Sequence, residues 1–272
     1  MSEPAATIRK HYLVLLRRWG PQNWWPAQSR FEVIAGAFLV QNTAWSNVEK
    51  AIALLRRARA LSVKGIRRIP LRHLEQLVRP SGYFRQKAHR LKNFIKFLDS
   101  AYGGSLDRMF ARPGEKLRAE LLALNGVGPE TADSILLYAG DKPVFVVDAY
   151  ARRVLERHGV INAKAGYEEV RALVEQAISS AEPGALKISH PGMAPRHPAS
   201  RISAKPGSAL AQHYNEFHAL LVRAGVEYCR KVPRCEACPL MRFLPDQGPV
   251  SVAAHTTLDT GLRLRGSLPN GD

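Results

Sequence analysis

Two glycines between two helical stretches constrain this chain more than any other feature. Residues 121–154 read LLALNGVGPETADSILLYAGDKPVFVVDAYARRV, and Gly126, Val127 and Gly128 separate apolar residues that recur with helical spacing on either side. Glycine permits tight backbone geometry that a Cβ would hinder, so we expect a sharp hairpin between two helices. A simple corner between helices has the same pattern, and the tripeptide alone therefore does not define a function.

The hairpin also offers a site for an anion. Its glycines leave backbone amides bare at the start of the second helix, where the helix dipole adds positive potential. A DNA phosphate fits such a site without any base being read. The chain carries 40 Lys and Arg against 23 Asp and Glu, a formal net charge of +17, and such an excess favours a nucleic-acid partner. Ribosomes and an anionic membrane surface are the other polyanions with which it is compatible.

Asp148 is the first candidate for chemistry. It follows the apolar run Val144–Val147 and stands eighteen residues after Glu130, which places it near the hairpin helix. A carboxylate that emerges from apolar surroundings can have a raised pKa and can act as a base or a counter-charge. The same position, just before a helix at Ala149, favours Asp as an N-cap. Both roles can coexist.

The remaining apolar spacing predicts an all-α fold. Helices are expected from Phe31, after Ser46 as an N-cap, over 71–79 and 85–102, from Pro113 and Pro129, and over 149–157, 166–180 and 211–225. Val144–Val147 is interpreted as a buried connector, since nothing nearby resembles a pairing strand. Residues 183–208 and the tail beyond about residue 245 are poor in large apolar groups and are predicted to be disordered.

The composition also bears on location. No stretch approaches the roughly 18 apolar residues that a membrane span needs, and the N-terminus carries charge from Glu3 onward without a signal-peptide core. We therefore expect no membrane partner and a cytoplasmic protein, associated with the nucleoid if the chain is bacterial.

The hairpin segment resembles the helix-hairpin-helix and Gly-Pro-Asp signature of the endonuclease III superfamily. Further motifs resemble the branch that includes 3-methyladenine DNA glycosylases, and the similarity covers about residues 20–182 and 211–240. The motifs of the signature are Leu124–Gly128, Thr131-Ala132, Val146–Asp148 and Arg153-Val154, and those of the branch are Trp24–Pro26, Gln41–Trp45, Arg79–Tyr83 and Tyr214–His218.

The resemblance implies two helical domains with an active site in the cleft between them. One would be a helical barrel domain over 30–142 that contains the helix-hairpin-helix. The other would combine 1–29 with 143–245, include 183–208 as a disordered insertion, and precede a disordered tail at 246–272. The implied protein is a base-excision repair glycosylase that acts, we expect as a monomer, on double-stranded DNA with damaged and in particular alkylated bases.

The resemblance makes Asp148 the catalytic aspartate, which assists attack at C1′ and stabilises the cationic sugar as the base departs. In bifunctional relatives a lysine follows the hairpin and attacks C1′, but this chain has Glu130 there. A carboxylate cannot form the Schiff base that strand cleavage needs, so we predict a monofunctional enzyme. Glu130 can also be simply an early-helix acid favoured by the dipole. A bifunctional glycosylase/AP lyase and a non-catalytic DNA-binding protein are the alternatives.

Candidate DNA contacts fall into two groups. Gly126, Val127, Gly128 and Thr131 form the hairpin group. Basic residues after the Pro-Ser-Gly turn form the second group, from which Arg85 and Lys87 are the predicted backbone ligands; a solvated charged face is the alternative. The members of this basic cluster are Arg79, Arg85, Lys87 and Arg90.

A flipped base needs a pocket with aromatic faces. Trp24, Trp25 and Trp45 are the candidates, and their rings would attract the positive charge of a methylated purine; core anchoring is the other role for each of them. Gln41 corresponds by position to a residue that fills the gap left in the DNA stack, whereas a capping or surface glutamine is the alternative.

The three cysteines, Cys229, Cys235 and Cys238, lie within ten residues. An odd, clustered set favours metal ligation over disulfides in a cytosolic chain. Related enzymes hold a [4Fe-4S] cluster with four cysteines, but the fourth position is Leu244 here. The site is thus incomplete, and a metal-free loop, a cluster with another fourth ligand and a zinc site stay open. The chemistry itself requires no cofactor.

Overall fold

The structure, a computed structural model, describes residues 2–179, 200, 202 and 207–250. This part of the chain contains helices and no strand, so the all-α prediction is confirmed. The helices are α1 (Glu3–Trp19), α2 (Arg30–Leu39), α3 (Trp45–Arg57), α4 (Val63–Arg68), α5 (Leu71–Val78), α6 (Phe84–Tyr102), α7 (Leu106–Ala111), α8 (Gly114–Leu122), α9 (Pro129–Ser134), α10 (Ala149–Arg157), α11 (Tyr167–Ser179) and α12 (Ala209–Glu227). None of these helices is long and apolar enough to cross a membrane.

Helix α2 is the central element. Its N-terminus is capped by Ser29, whose Oγ accepts from the amide of Glu32 over 3.1 Å, and every residue from Phe31 to Leu39 is buried. The helix is apolar on all sides rather than on one face, as expected for a helix enclosed by its neighbours. Gly36 is needed for this packing, because a Cβ there would lie 2.9 Å from the ring of Trp25.

Helix α9 continues without a break into a π-helical turn over Ile135–Ala139, which is wholly buried. This turn packs against both α2 and α12. π-Turns within helices are frequent at functional sites. This one places the hydroxyl of Tyr138 next to the ring of His218 on α12.

The described helices pack in two groups. Helix α12 contacts α1, α10 and α11 in the first group, and α1 also contacts α11. Helices α2 to α8 form the second group, and α9 with its π-turn lies between the two. One continuous buried apolar cluster runs through both groups. The domain boundaries stated from the sequence therefore remain a prediction.

Of three local expectations, two change and one is confirmed. Helix α3 begins at Trp45 with Ala44 as its N-cap, so Ser46 is not the cap but lies in the first turn. The run 144–147 is buried and is neither helix nor strand, as expected. The predicted tail at 246–272 lies outside the described residues from 251 onward, and at Val250 the prediction is wrong, since its amide donates to the carbonyl oxygen of Arg157 over 3.0 Å.

Most of the predicted insertion, 183–208, lies outside the described residues. Two described positions within it contradict disorder there. Ser200 is buried and its hydroxyl donates to the carbonyl oxygen of Trp25 over 3.1 Å. Ser208 caps α12, and its amide donates to a carboxylate oxygen of Asp141 over 2.9 Å.

Candidate active site and DNA interface

A cleft of about 560 Å³ opens where the two groups of helices meet. It brings together residues that are far apart in the sequence: the Trp24-Trp25 segment, the loop after α2, the first turn of α9, the connector before α10, and α12. Among the side chains that line the cleft are Trp24, Trp25, Gln41, Trp45, Arg90, Glu130, Asp148, Arg153 and His218. No lysine lines the cleft within the described part of the chain.

Asp148 is both the N-cap of α10 and a cleft residue. Its Oδ1 accepts from the amide of Ala151 over 2.7 Å, and its Oδ2 lies 3.5 Å from Nε2 of His218. Burial acts to raise the pKa of Asp148, but the charge and hydrogen bond of His218, the Ala151 amide and the charge of Arg153 together hold it below its usual value. The expectation of a raised pKa is therefore wrong, and Asp148 is an anion at neutral pH.

Glu130 lies in the first turn of α9, on the solvent-facing wall of the cleft. Although part of the Glu130 side chain reaches solvent, the cleft walls around its carboxyl group and the negative charge of Asp148 raise its pKa to about 7. The two carboxyl groups thus have separated pKa values, Asp148 ionised and Glu130 near its midpoint at neutral pH. Pairs of this kind are typical of acid–base sites.

The three predicted pocket tryptophans form one cluster. The ring centroids of Trp24 lie 5.5 Å from Trp25 and 5.7 Å from Trp45, and those of Trp25 and Trp45 lie 4.9 Å apart. Trp25 and Trp45 are buried, with 6% and 8% of their surface exposed, whereas Trp24 is half-buried. Trp24 therefore offers the accessible ring, and the other two form the wall behind it.

Helix α12 holds this aromatic wall in place. The carboxylate of Glu216 accepts from the backbone amides of Gln22, over 2.6 Å, and Asn23, over 3.2 Å. These amides immediately precede Trp24 in the chain. The same helix carries His218 to Asp148, so it links the pocket wall to the candidate catalytic carboxylate.

The two glycines of the hairpin have different roles. Gly126 has a φ of +80°, and a Cβ there would lie 2.1 Å from Nε of Arg90, so both backbone conformation and space require glycine. Gly128 is exposed and a Cβ there would meet nothing within 4 Å. The side chain of Val127 is buried, and its amide donates to the carbonyl oxygen of Leu124 over 3.0 Å. The predicted DNA contact of Val127 therefore cannot come from its side chain, which anchors the hairpin.

Gln41 is tied to the hairpin in the free protein. Its Nε2 donates to the carbonyl oxygen of Gly126 over 3.0 Å and to Oγ1 of Thr131 over 2.9 Å. Its Oε1 accepts from Nη1 of Arg90 over 2.5 Å. Thr131 is buried and its hydroxyl holds Gln41, so a contact of Thr131 with the DNA backbone stays a prediction that rests on its main chain.

The structure also contradicts the predicted DNA contact of Lys87, whereas the DNA contact of Arg85 stays a prediction. Lys87 is only 1% exposed, and its Nζ donates to the carbonyl oxygens of Leu39, over 2.9 Å, and Ser81, over 2.5 Å. Burial and the charge of Arg90 lower its pKa to about 8. Lys87 thus caps the end of α2 inside the protein and cannot reach DNA.

Arg85 is exposed beside a surface groove of about 420 Å³. This groove runs from α6 to Asn125, the residue that precedes the hairpin, and its lining residues are Arg85, Gln86, His89, Arg90, Asn93 and Asn125. It carries positive charge next to the exposed start of α9.

Two residues at or behind the cleft, Tyr138 and His218, were not among the site residues predicted from the sequence, and Arg153 stood there only within a motif. His218 stood within the Tyr214–His218 motif, but nothing in the motif pointed from it to Asp148. Arg153 donates to the carbonyl oxygens of Cys229, over 2.6 Å, and Gly225, over 3.2 Å. Because it is charged and close to Asp148, it adds to the positive potential there.

The cysteine loop does not fit a four-thiolate cluster. Cys229, Cys235 and Cys238 face a small pocket of about 10 Å³ that Leu244 also lines, so the fourth position is a hydrocarbon side chain without a donor. Nη1 of Arg157 lies among them, 3.4 Å from Sγ of Cys229 and 2.5 Å from the carbonyl oxygen of Arg230. No group of three or more metal-ligating side chains forms a metal site in the described residues.

Residues 35–180, more than half of the chain, match the HhH-GPD superfamily of base excision DNA repair proteins, and the chain belongs to that superfamily.

Among its relatives is a protein of Methanocaldococcus jannaschii that carries the provisional description of a DNA repair glycosylase. It is 42% identical over 238 residues, which cover 87% of this chain and 94% of the relative. Endonuclease III of Thermotoga maritima is 32% identical over 143 residues, 53% of this chain and 63% of that enzyme.

Solved structures are also similar. The 3-methyladenine DNA glycosylase MagIII of H. pylori, bound to 1,N6-ethenoadenine, has a TM-score of 0.65 and 28% identity over 81% of this chain and 96% of its own. A complex of endonuclease III with DNA has a TM-score of 0.66 over 90% of this chain and 96% of its own, and at 21% identity it shows the fold alone.

Proposed function

We propose that this protein is a monofunctional DNA glycosylase that removes alkylated, positively charged bases from double-stranded DNA. One observation carries the proposal: an ionised Asp148 faces a cleft that is walled by three tryptophans, carries a second carboxyl group, and has no lysine lining it among the described residues. Such a cleft favours binding of a positively charged base. Its described lining lacks a lysine amine that could form the Schiff base of a lyase.

The proposed reaction is hydrolysis of the N-glycosidic bond. Water attacks C1′, the bond from C1′ to the base nitrogen breaks, and its electron pair leaves with the base. Asp148 stabilises the positive charge that develops on the sugar and orients the water, whose proton passes to solvent. A cationic alkylated purine is neutralised by the departing electron pair, so it needs no proton donor.

Base selection follows from the electrostatics of the cleft. The face of a tryptophan ring attracts cations, with a free energy of about 0.5–2 kcal/mol depending on desolvation. Asp148, and Glu130 above its pKa of about 7, add negative charge. MagIII, the H. pylori relative at 28% identity, is named as a 3-methyladenine glycosylase, and its likeness supports an alkylated substrate here.

DNA would lie across the hairpin and the groove beside Arg85. The start of α9 presents the positive end of a helix, and Gly128 keeps that surface open. Arg85 and Arg90 supply charge along the adjacent groove. Phosphate contacts of this kind position the duplex without reading its sequence.

The test is a panel of duplexes that contain 3-methyladenine, 7-methylguanine, oxidised pyrimidines, uracil or mismatches. We expect release of methylated purines and intact abasic strands until alkali is added. Borohydride should trap no covalent complex, because no Schiff base forms. Release of oxidised pyrimidines with strand cleavage and a trapped adduct would instead assign the chain to the bifunctional lyases, and no release from any duplex would favour a DNA-binding protein without catalysis.

A further inference from the structure

We propose that His218, held in place by Tyr138, is the positioning residue that keeps Asp148 ionised and fixes the direction of its free oxygen. The proposal rests on the proposed function, in which Asp148 is the catalytic carboxylate.

The geometry is a chain of three side chains from three elements. Oη of Tyr138, in the π-turn, lies 2.5 Å from Nδ1 of His218 on α12. Nε2 of the same ring lies 3.5 Å from Oδ2 of Asp148 before α10. Tyr138 and His218 are buried, with 4% and 6% of their surface exposed. The ring of His218 is thus fixed at one nitrogen and directed at the carboxylate with the other.

The two carboxylate oxygens of Asp148 have different partners. Oδ1 is held by the amide of Ala151 at the N-terminus of α10. Oδ2 faces His218 in the cleft, and no hydrogen bond of normal length reaches Nε2 from another group. At 3.5 Å the contact is at the long limit of a hydrogen bond, so the imidazole directs Oδ2 into the cleft and leaves a lone pair of that oxygen for the sugar.

The charged and titratable groups around this pair come from every adjacent element. Glu130 on α9 and Glu216 on α12 are acidic, Arg153 on α10 is basic, and Tyr138 is in the π-turn. Burial raises the pKa of Tyr138 well above its usual value, so the phenol stays neutral and adds no second anion. The buried carboxylate therefore relies on His218 and Arg153 for compensation, and the ring of His218 faces its free oxygen.

A purely structural histidine would show a different behaviour from a positioning one. If His218 only fills space, its replacement changes stability and leaves the titration of Asp148 alone. If it holds Asp148 ionised, its loss lets burial dominate and the pKa of Asp148 rises. Below the raised pKa, each unit of increase reduces the ionised fraction about tenfold. The acidic limb of the kcat/KM profile then moves to higher pH.

The experiment uses the full chain and five variants, the fifth of which, Asp148→Asn, serves for assignment. His218→Phe removes both interactions, His218→Gln keeps a donor without a charge, and Tyr138→Phe removes only the support of the ring. His213→Phe is the matched control, since His213 is also on α12 and also bonds a tyrosine, Tyr12, through Nδ1 over 2.9 Å, but does not line the cleft. The carboxyl carbon of Asp148 is followed by 13C NMR across pH and assigned with Asp148→Asn.

We expect the Asp148 titration and the acidic limb to move to higher pH together in His218→Phe, less in His218→Gln and Tyr138→Phe, and not in His213→Phe. An unchanged Asp148 titration in His218→Phe would overturn the proposal; if that variant does not fold, His218→Gln and Tyr138→Phe decide in the same way. The proposed function fails separately, when Asp148→Asn releases bases as fast as the unmodified protein whatever the NMR titration shows.

Discussion

The side-chain amide of Gln41 donates to the carbonyl oxygen of Gly126 over 3.0 Å. This bond joins the loop after α2 to the turn of the hairpin, and Arg90 closes the arrangement by donating to Gln41. Gln41 is the residue that the resemblance assigns to the gap in the DNA stack. If it acts there, it must exchange these internal hydrogen bonds for bonds to the orphaned base when DNA binds.

Gln41→Ala should slow base release from paired duplexes more than from single strands, because only a duplex leaves an orphaned base. The loss should correspond to about one net hydrogen bond, on the order of 1 kcal/mol. Single-turnover rates on the two substrates measure it. Gln28→Ala, at an exposed position, is the control, and an equal effect of Gln41→Ala on both substrates would refute the gap-filling role.

Gly126→Ala and Gly128→Ala should separate hairpin geometry from DNA contact. Alanine at 126 adopts a left-handed conformation at a cost of about 1–2 kcal/mol and collides with Arg90, so the free energy of unfolding should fall. Alanine at 128 meets no neighbour, so stability should hold while DNA affinity decreases. Urea unfolding and DNA titration check this, and equal stability losses in both variants would contradict it.

Asp148 caps α10 in addition to its proposed chemistry. Asparagine caps a helix about as well as aspartate, whereas alanine costs about 1 kcal/mol. Asp148→Asn should therefore unfold at the same urea concentration as the unmodified protein, and Asp148→Ala at a lower one. A similar loss of stability in both variants would mean that the favourable interactions of the charge with His218 and Arg153, rather than the cap, dominate at this position.

Glu130 should make stability depend on pH. Its pKa is raised from 4.5 to about 7 in the folded protein, so between these values the folded state binds a proton that the unfolded state has lost. The contribution of Glu130 to the free energy of unfolding therefore falls as pH rises from 4.5 to 7 and stays low above it. Glu130→Gln should remove this slope in unfolding measurements, and parallel curves for the two proteins would exclude it.

Arg85 and Lys87 should differ in their effect on DNA binding. Loss of one phosphate contact reduces the salt slope of binding by about 1, and we expect this for Arg85→Ala. Lys87→Met should leave the slope unchanged and lower stability instead, since it leaves two buried carbonyl oxygens without their donor. A reduced slope for Lys87→Met would place that side chain on DNA after all.

The sequence was informative where residue type alone limits the structure. Gly126 could be assigned to a hairpin because a tight turn requires a backbone conformation that other residues rarely adopt. The tryptophans could be assigned to one pocket by resemblance. Lys87 could not be separated from Arg85, because a cluster of charges does not say which side chain points inward. The sign of the pKa shift of Asp148 depends on His218, seventy residues further on, and the contact from Tyr138 requires a π-turn that apolar spacing does not predict.

The most direct test of the account compares release of 3-methyladenine from duplex DNA by the unmodified protein and by Asp148→Asn in single turnover at neutral pH. We expect release by the unmodified protein, abasic strands that break only with alkali, and a loss of rate by orders of magnitude in the variant, which remains folded and bound to DNA. Equal rates for the two proteins, or strand cleavage without alkali, would contradict it.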